Sequence, residues 1–255
     1  MSPTELSPEN QALLERFSDG KVLGLARAIT VVENERAGFQ ELLHTVMERG
    51  PQTKRVGFTG PPGAGKSSLV AAVATEYRKL DEYLGVVAVD PTSPYSGGAL
   101  LGDRIRMNDI STDPGIFIRS MATRGSLGGL ATTTKEVVDL MDAFGFDRVL
   151  VETVGVGQTE LEVTAAADTV VVVLVPESGD AIQAMKAGLM EIADAFVINK
   201  ADREGALALE KDLLTLLSLA EGGGGHWQPM ILKTIATTGE GRSEEHTSEL
   251  QSRPH

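Results

Sequence analysis

The 255-residue chain is long enough for one α/β domain with a sizeable core, and its composition, 42% apolar and 23% charged with 28 glycines, is that of an ordinary globular protein. A formal charge of −13 argues against a broad nucleic-acid or anionic-membrane footprint, and zero cysteines exclude a disulfide framework and thiolate metal sites. The amino terminus has no basic segment followed by an apolar one, and the longest apolar run, Val170 to Val175, is too short for a bilayer, so the reading is a cytoplasmic protein that engages neither nucleic acid nor membrane.

Residues 8–48 read as helices, because Leu13, Leu14 and Phe17, then Leu23, Leu25, Ala26 and Ile29, then Phe39, Leu42, Leu43 and Val46 recur at helical spacing. Ser7 offers a cap and Pro8 a first-turn residue. Residues 1–50 are therefore expected to form an N-terminal helical extension. From Arg55 the pattern becomes short apolar runs alternating with longer amphipathic stretches, the mark of an α/β fold with a mainly parallel sheet covered on both faces. Strands are predicted at 55–59, 85–90, 115–119, 147–152, 169–175, 194–199 and 229–234, and helices at 66–80, 132–144, 180–190 and 205–220. The run Glu221 to Gly225 reads as a surface connection. After Gly241 the stretch RSEEHTSELQSRPH has no apolar period and looks like a translated sequencing-adapter oligonucleotide. The expected division is thus a domain over 51–241 and a non-native tail over 242–255, with a genuine disordered tail as the alternative.

Between the first predicted strand and the helix after it stands Gly60-Pro61-Pro62-Gly63-Ala64-Gly65-Lys66-Ser67-Ser68, a GxxxxGKS sequence in the strand-to-helix setting of a phosphate-binding P-loop. Its glycines let the backbone wrap phosphate oxygens at a helix N-terminus. Lys66 is predicted to reach the β- and γ-phosphates and Ser67 to ligate Mg²⁺. Asn199-Lys200-Ala201-Asp202 follows the strand at 194–199 and so falls on the same sheet edge. Asp202 can accept the N1–H and 2-amino hydrogens of guanine; adenine offers no matching donor pair and would leave the carboxylate buried and unpaired, so the predicted ligand is GTP/GDP. Asn199 can support both the base edge and the P-loop, while the Lys200 stem lies over the ring.

Two further strand ends carry carboxylates, Asp90 and Glu152, placed where a magnesium-bound water needs an acceptor. Glu152 with Gly155 stands where a DxxG switch element is expected, with Glu for Asp. Asp103 is either a further metal-site residue or a helix cap. Gln158 either orients the attacking water or faces a partner, and Ala236 either donates its N–H to guanine O6 or is an ordinary loop residue. The Gly-rich Met121 to Leu130 has no derivable role, and His44 and His226 lack companions at metal-ligand spacing.

Taken in order, GPPGAGKSS, VAVDPTSPYSGGALLGDRIRM, MATRGSLGGLA, VETVGVGQTE, PESGDAIQAMKAG and NKAD resemble the MeaB family of GTPases, also called MMAA or ArgK. The resemblance implies a three-layer P-loop NTPase fold of the SIMIBI kind. It implies a chaperone that gates adenosylcobalamin loading of methylmalonyl-CoA mutase, or of a related acyl-CoA mutase, and protects or reactivates it. It further implies switches at Asp90 to Met107, Glu152 to Glu162 and Ser178 to Gly188. Within the third, Asp180 and Lys186 would face partner or nucleotide, Lys186 being otherwise an exposed helix residue. The helical arm through which the family forms homodimers has no counterpart before the adapter-like tail, which puts a dimer of this chain in doubt. The alternative function is a GTP- or ATP-dependent protein kinase linked to amino-acid transport. A transition-metal chaperone would need a His or Cys cluster that the sequence lacks.

Overall fold

A computed structural model of the chain describes residues 6–48, 53–90, 107–122, 132–153, 163–176, 188–220 and 229–241. Three helices come first: α1 (Pro8–Ser18), α2 (Val22–Glu33) and α3 (Phe39–Met47). Ser7 caps α1 by accepting from the Asn10 N–H at 3.2 Å, with Pro8 in the first turn. Asn10 is itself buried and donates its amide to the Gly38 carbonyl at 3.2 Å, joining the start of α1 to the start of α3.

The rest alternates strand and helix: β1 (Lys54–Thr59), α4 (Lys66–Lys79), β2 (Leu84–Asp90), α5 (Asn108–Ser111), β3 (Ile116–Ala122), α6 (Thr132–Phe144), β4 (Arg148–Glu152), β5 (Thr169–Leu174), α7 (Met190–Ile192), β6 (Ala195–Asn199), α8 (Ala206–Ala220) and β7 (Met230–Thr234). A 3₁₀ turn at Val163–Ala165 precedes β5. The strands form one sheet in the order β3-β2-β4-β1-β5-β6-β7, and each neighbouring pair is parallel. All seven predicted strands are present. β3 differs most, reaching Ala122 because Ser120, Met121 and Ala122 pair with Ala88, Val89 and Asp90. The predicted helix at 180–190 falls largely outside the described residues.

Alternation along the strands sorts the core into layers. Phe58, Val86, Ala88 and Leu150 point to the face covered by Leu69, Val70 and Tyr77 of α4. Val87, Val89, Val149 and Val151 point to the opposite face, where Val137, Val138 and Met141 of α6 meet them. The N-terminal helices form an outer layer on α6: Leu13, Phe17, Leu25, Ile29, Leu42 and Val46 belong to the same buried cluster. The extension therefore shares a core with the sheet instead of standing apart from it.

β1 is central, and its start is tied to α6 by charge. Arg55 lies against two carboxylates, donating to Asp139 at 2.7 Å and through Nε to Asp142 at 3.0 Å, with a second contact to Asp142 from Nη2. Burial works against the guanidinium charge, yet the hydrogen bonding to Asp142 and the charges of Asp139 and Asp142 outweigh it and hold the Arg55 pKa above its ordinary value. Asp142 also accepts the Thr53 N–H at 2.9 Å.

Candidate nucleotide site

β1 ends at Thr59, and the chain turns through Gly60 to Gly65 before α4 begins at Lys66. The strand before and the 14-residue helix after are the setting the GxxxxGKS sequence called for. Two glycines are required by geometry. Gly60 has φ 131°, and a Cβ there would run into the Val173 carbonyl of neighbouring β5; Gly65, at φ 85°, would drive one into the Asn199 amide. Within the loop Pro61 and Ala64 are buried, Ser68 is half-buried, and Pro62 and Gly63 are exposed.

The Lys66 ammonium is buried and donates to the carbonyls of Gly60 at 2.8 Å and Pro61 at 3.1 Å, which places it inside the curl of the loop. Ser67, on the next position of α4, hydrogen-bonds through its hydroxyl to Glu152 Oε1 at 2.6 Å, and both side chains are buried. β4 runs beside β1 with Glu152 opposite Phe58, so the carboxylate leaves the sheet edge directly over the start of α4. These residues are 85 positions apart in sequence and meet only because β4 is the neighbour of β1.

The tetrad at 199–202 forms the turn leaving β6. Asn199 is buried, and its amide donates to the Ala64 carbonyl at 2.9 Å while its Oδ1 accepts from the Ala236 N–H at 3.1 Å and the Thr234 hydroxyl at 3.3 Å. One side chain thus joins the phosphate loop, the β6 turn and the segment after β7. Lys200 adopts φ 56° and donates to the Gly63 carbonyl at 2.9 Å, while the Ala201 N–H bonds to the Thr234 carbonyl at 3.1 Å.

Asp202, two residues beyond the left-handed Lys200 and three beyond the buried Asn199, is exposed. The Ala236 N–H, expected either to donate to guanine O6 or to belong to an ordinary loop residue, donates to Asn199 Oδ1. Asp90 ends β2 in register with Ala122, and its side chain lies outside the described residues. Asp103, Gln158, Asp180, Lys186 and His226 also lie outside them, as do most residues of the three expected switches and of the Gly-rich segment. His44 is exposed on α3 and faces Glu48 at 3.6 Å.

Sequence reasoning missed a pair of threonines behind the site. Thr153 follows Glu152, and its hydroxyl lies 3.1 Å from that of Thr59 and 3.3 Å from the Phe58 carbonyl. Both threonines are buried. A Thr closing β1 and another one step past Glu152 was the available signal, but only the strand register reveals that they meet.

The description "Methylmalonyl Co-A mutase-associated GTPase MeaB" belongs to the family model that matches residues 25–250 of this chain. The chain belongs to the MeaB family of GTPases. It is similar to a putative GTPase of Pyrococcus abyssi, 52% identical over 234 residues that cover 91% of this chain and 72% of the relative. The mouse "Methylmalonic aciduria type A homolog, mitochondrial" is 37% identical, with 94% of this chain and 63% of the relative covered. Among solved structures, one described as a LAO/AO transport system kinase superposes with a TM-score of 0.75 at 29% identity, covering 97% of this chain and 76% of its own. MeaB membership makes the chain a GTPase and accounts for a P-loop and an NKxD turn on one sheet edge.

Proposed function

We propose that this chain is a GTP-hydrolysing chaperone that gates adenosylcobalamin loading of methylmalonyl-CoA mutase, or of a related acyl-CoA mutase, and protects or reactivates it in the cytoplasm. The observation that carries the nucleotide half is the Asn199 amide at 2.9 Å from the Ala64 carbonyl, which fixes the base-reading turn against the phosphate loop. The mutase half is supported by the family description, which names that enzyme as the associate. No helix among the described residues is long and apolar enough to cross a membrane.

Hydrolysis joins a water oxygen to the γ-phosphorus and breaks its bond to the β–γ bridging oxygen, giving GDP and phosphate. The chain need form no covalent intermediate, so its work is positioning and charge neutralisation. Lys66, seated in the loop, meets the β- and γ-phosphate oxygens, and the backbone N–H groups from Gly63 to Ser68 face the same charge at the start of α4, Pro61 and Pro62 having none to offer. Asp202 reads the guanine edge, with Lys200 along its face. Ser67 and Glu152 set a hydroxyl and a carboxylate side by side, hard oxygens that would hold Mg²⁺, Ser67 directly and Glu152 through a metal-bound water. Asp90 and Asp103 are the further carboxylates assigned to that site, and Gln158 is assigned to orient the water. When bound, Mg²⁺ supplies charge neutralisation at the phosphate oxygens.

The test is turnover of GTP against ATP by the wild-type chain and by Asp202→Ala. A guanine preference that collapses in the variant is expected, and equal use of both nucleotides by both proteins would sink the base assignment. Mixed with an adenosylcobalamin-dependent methylmalonyl-CoA mutase, the chain should hydrolyse GTP faster and make cofactor loading nucleotide-dependent. No change in either overturns the mutase half alone. Label from γ-labelled GTP should appear as free phosphate; its transfer to a protein would favour the kinase reading.

A further inference from the structure

The Ser67–Glu152 contact stands on one face of the sheet, and the pleat puts the next residue on the other. Glu152 shares its face with Leu150 and α4, whereas Thr153 shares its face with Val149 and Val151. β1 repeats the pattern one strand away, with Phe58 toward α4 and Gly57 toward Val163. Thr59 follows Phe58, as Thr153 follows its register partner Glu152. The Thr153 N–H continues the ladder to the Phe58 carbonyl at 3.0 Å. Its hydroxyl then adds the 3.1 Å contact to Thr59 Oγ1 and the 3.3 Å contact to the same Phe58 carbonyl. Thr59 is fully buried and Thr153 nearly so, with 2% of its surface exposed, so bulk solvent does not compete for the contact. The strand end bearing Glu152 is therefore held from behind by a hydroxyl clasp onto the strand that leads into the P-loop.

We propose that Thr153 is a positioning residue for GTP hydrolysis. Its hydroxyl, clasped to Thr59 and the Phe58 carbonyl on the back face of β1, fixes where the Glu152 carboxylate stands beside Ser67. The proposal rests on the metal-site role assigned to Glu152. It adds a residue that touches neither nucleotide nor metal and acts through the peptide it shares with that glutamate. Valine keeps the shape of threonine and removes the hydroxyl, whereas serine keeps the hydroxyl.

The experiment compares Thr153→Val, Thr153→Ser and Glu152→Gln in the full chain. It measures kcat and KM for GTP, Mg²⁺ dependence of labelled-GDP release, and melting temperature. Thr153→Val is expected to lower kcat about three- to tenfold with KM for GTP near wild type and to raise the Mg²⁺ concentration needed to slow GDP release. Thr153→Ser should restore both to within about twofold. Thr59→Val breaks the same clasp from the other strand, so it should reproduce the Thr153→Val kinetics, and the double variant should be no worse than either alone. A Thr153→Val protein that melts lower but keeps wild-type kcat and Mg²⁺ dependence overturns the proposal. So does a serine variant as impaired as the valine one. If Thr153→Val does not fold, Thr59→Val and Thr153→Ser decide by the same two readouts. Wild-type behaviour of Glu152→Gln overturns the role of Glu152, whereas a defect there with none at Thr153 and Thr59 overturns only the clasp.

Discussion

Asn199→Ala is the substitution whose consequence can be worked furthest. The side chain is 2% exposed and makes bonds of 2.9, 3.1 and 3.3 Å to Ala64, Ala236 and Thr234. Net loss is about 1 kcal/mol per hydrogen bond, and more where a buried group loses a partner, which gives about 2–4 kcal/mol in all. For a domain of this size that is a fall in melting temperature of about 5–15 °C. Gly65 makes the reasoning testable beyond a simple loss. Gly65→Ala pushes a methyl into the Asn199 amide and also strains a backbone at φ 85°, so in the wild-type background it should cost about 3–5 kcal/mol. With Asn199 already truncated, the collision disappears and only the strain, about 1–2 kcal/mol, is left. The assay is urea unfolding of the four proteins of the cycle, with GDP affinity measured in parallel. A coupling of about 2 kcal/mol is expected, and single effects that add to within about 0.5 kcal/mol would refute the contact-based reasoning.

Two other predictions concern the carboxylates of α6. Arg55→Met leaves Asp139 and Asp142, with side chains only 9% and 2% exposed, without their guanidinium, and urea unfolding should register a loss of about 3–5 kcal/mol, largely relieved by adding Asp142→Asn. Glu136 has its pKa raised, first by burial and then by the charges of Glu35 and Asp139. A carboxyl whose folded pKa lies above its unfolded value binds more protons in the native state, so its contribution to stability is present below the unfolded pKa and is lost as pH rises through the folded one. Glu136→Gln should therefore stabilise the protein at neutral pH, with the gain vanishing in acid. Unfolding curves across pH check this, and a gain independent of pH would contradict it.

Much of the fold was legible because the strands are buried on both faces and read as short apolar runs. Val170 to Leu174 and Ala195 to Ile198 leave little choice. β3 was read short because Ser120 breaks the apolar run and Met121 reads as the start of the Gly-rich segment; what extends the strand is pairing with β2, which is non-local. The P-loop and NKAD turn were legible because their chemistry is carried by contiguous residues. The role of Asn199 in tying Ala64 to Ala236 was only half visible, since Ala64 lies 135 positions from it. Arg55 gave no warning at all. Its partners lie 84 and 87 residues on, and charged residues at a strand start read as solvated until α6 is packed above them.

These elements converge on β1, which explains why the site can be assembled from such distant segments. Its end becomes the P-loop, its front face positions Phe58 under α4, and its back face holds β4 through Thr59 and seats Val163 in the space that Gly57 leaves open. Its start is bonded through Arg55 to α6, whose outer surface is covered by α1, α2 and α3. A shift of β1 along its axis would move Lys66, Ser67 and the Gly60 carbonyl together, but it would also have to break contacts to β4, β5 and α6 at once. The N-terminal helices are thus remote from the chemistry and still part of what holds it in register, because the Leu25, Ile29 and Leu42 side chains pack in the same cluster as Val137 and Met141 of the helix to which β1 is anchored.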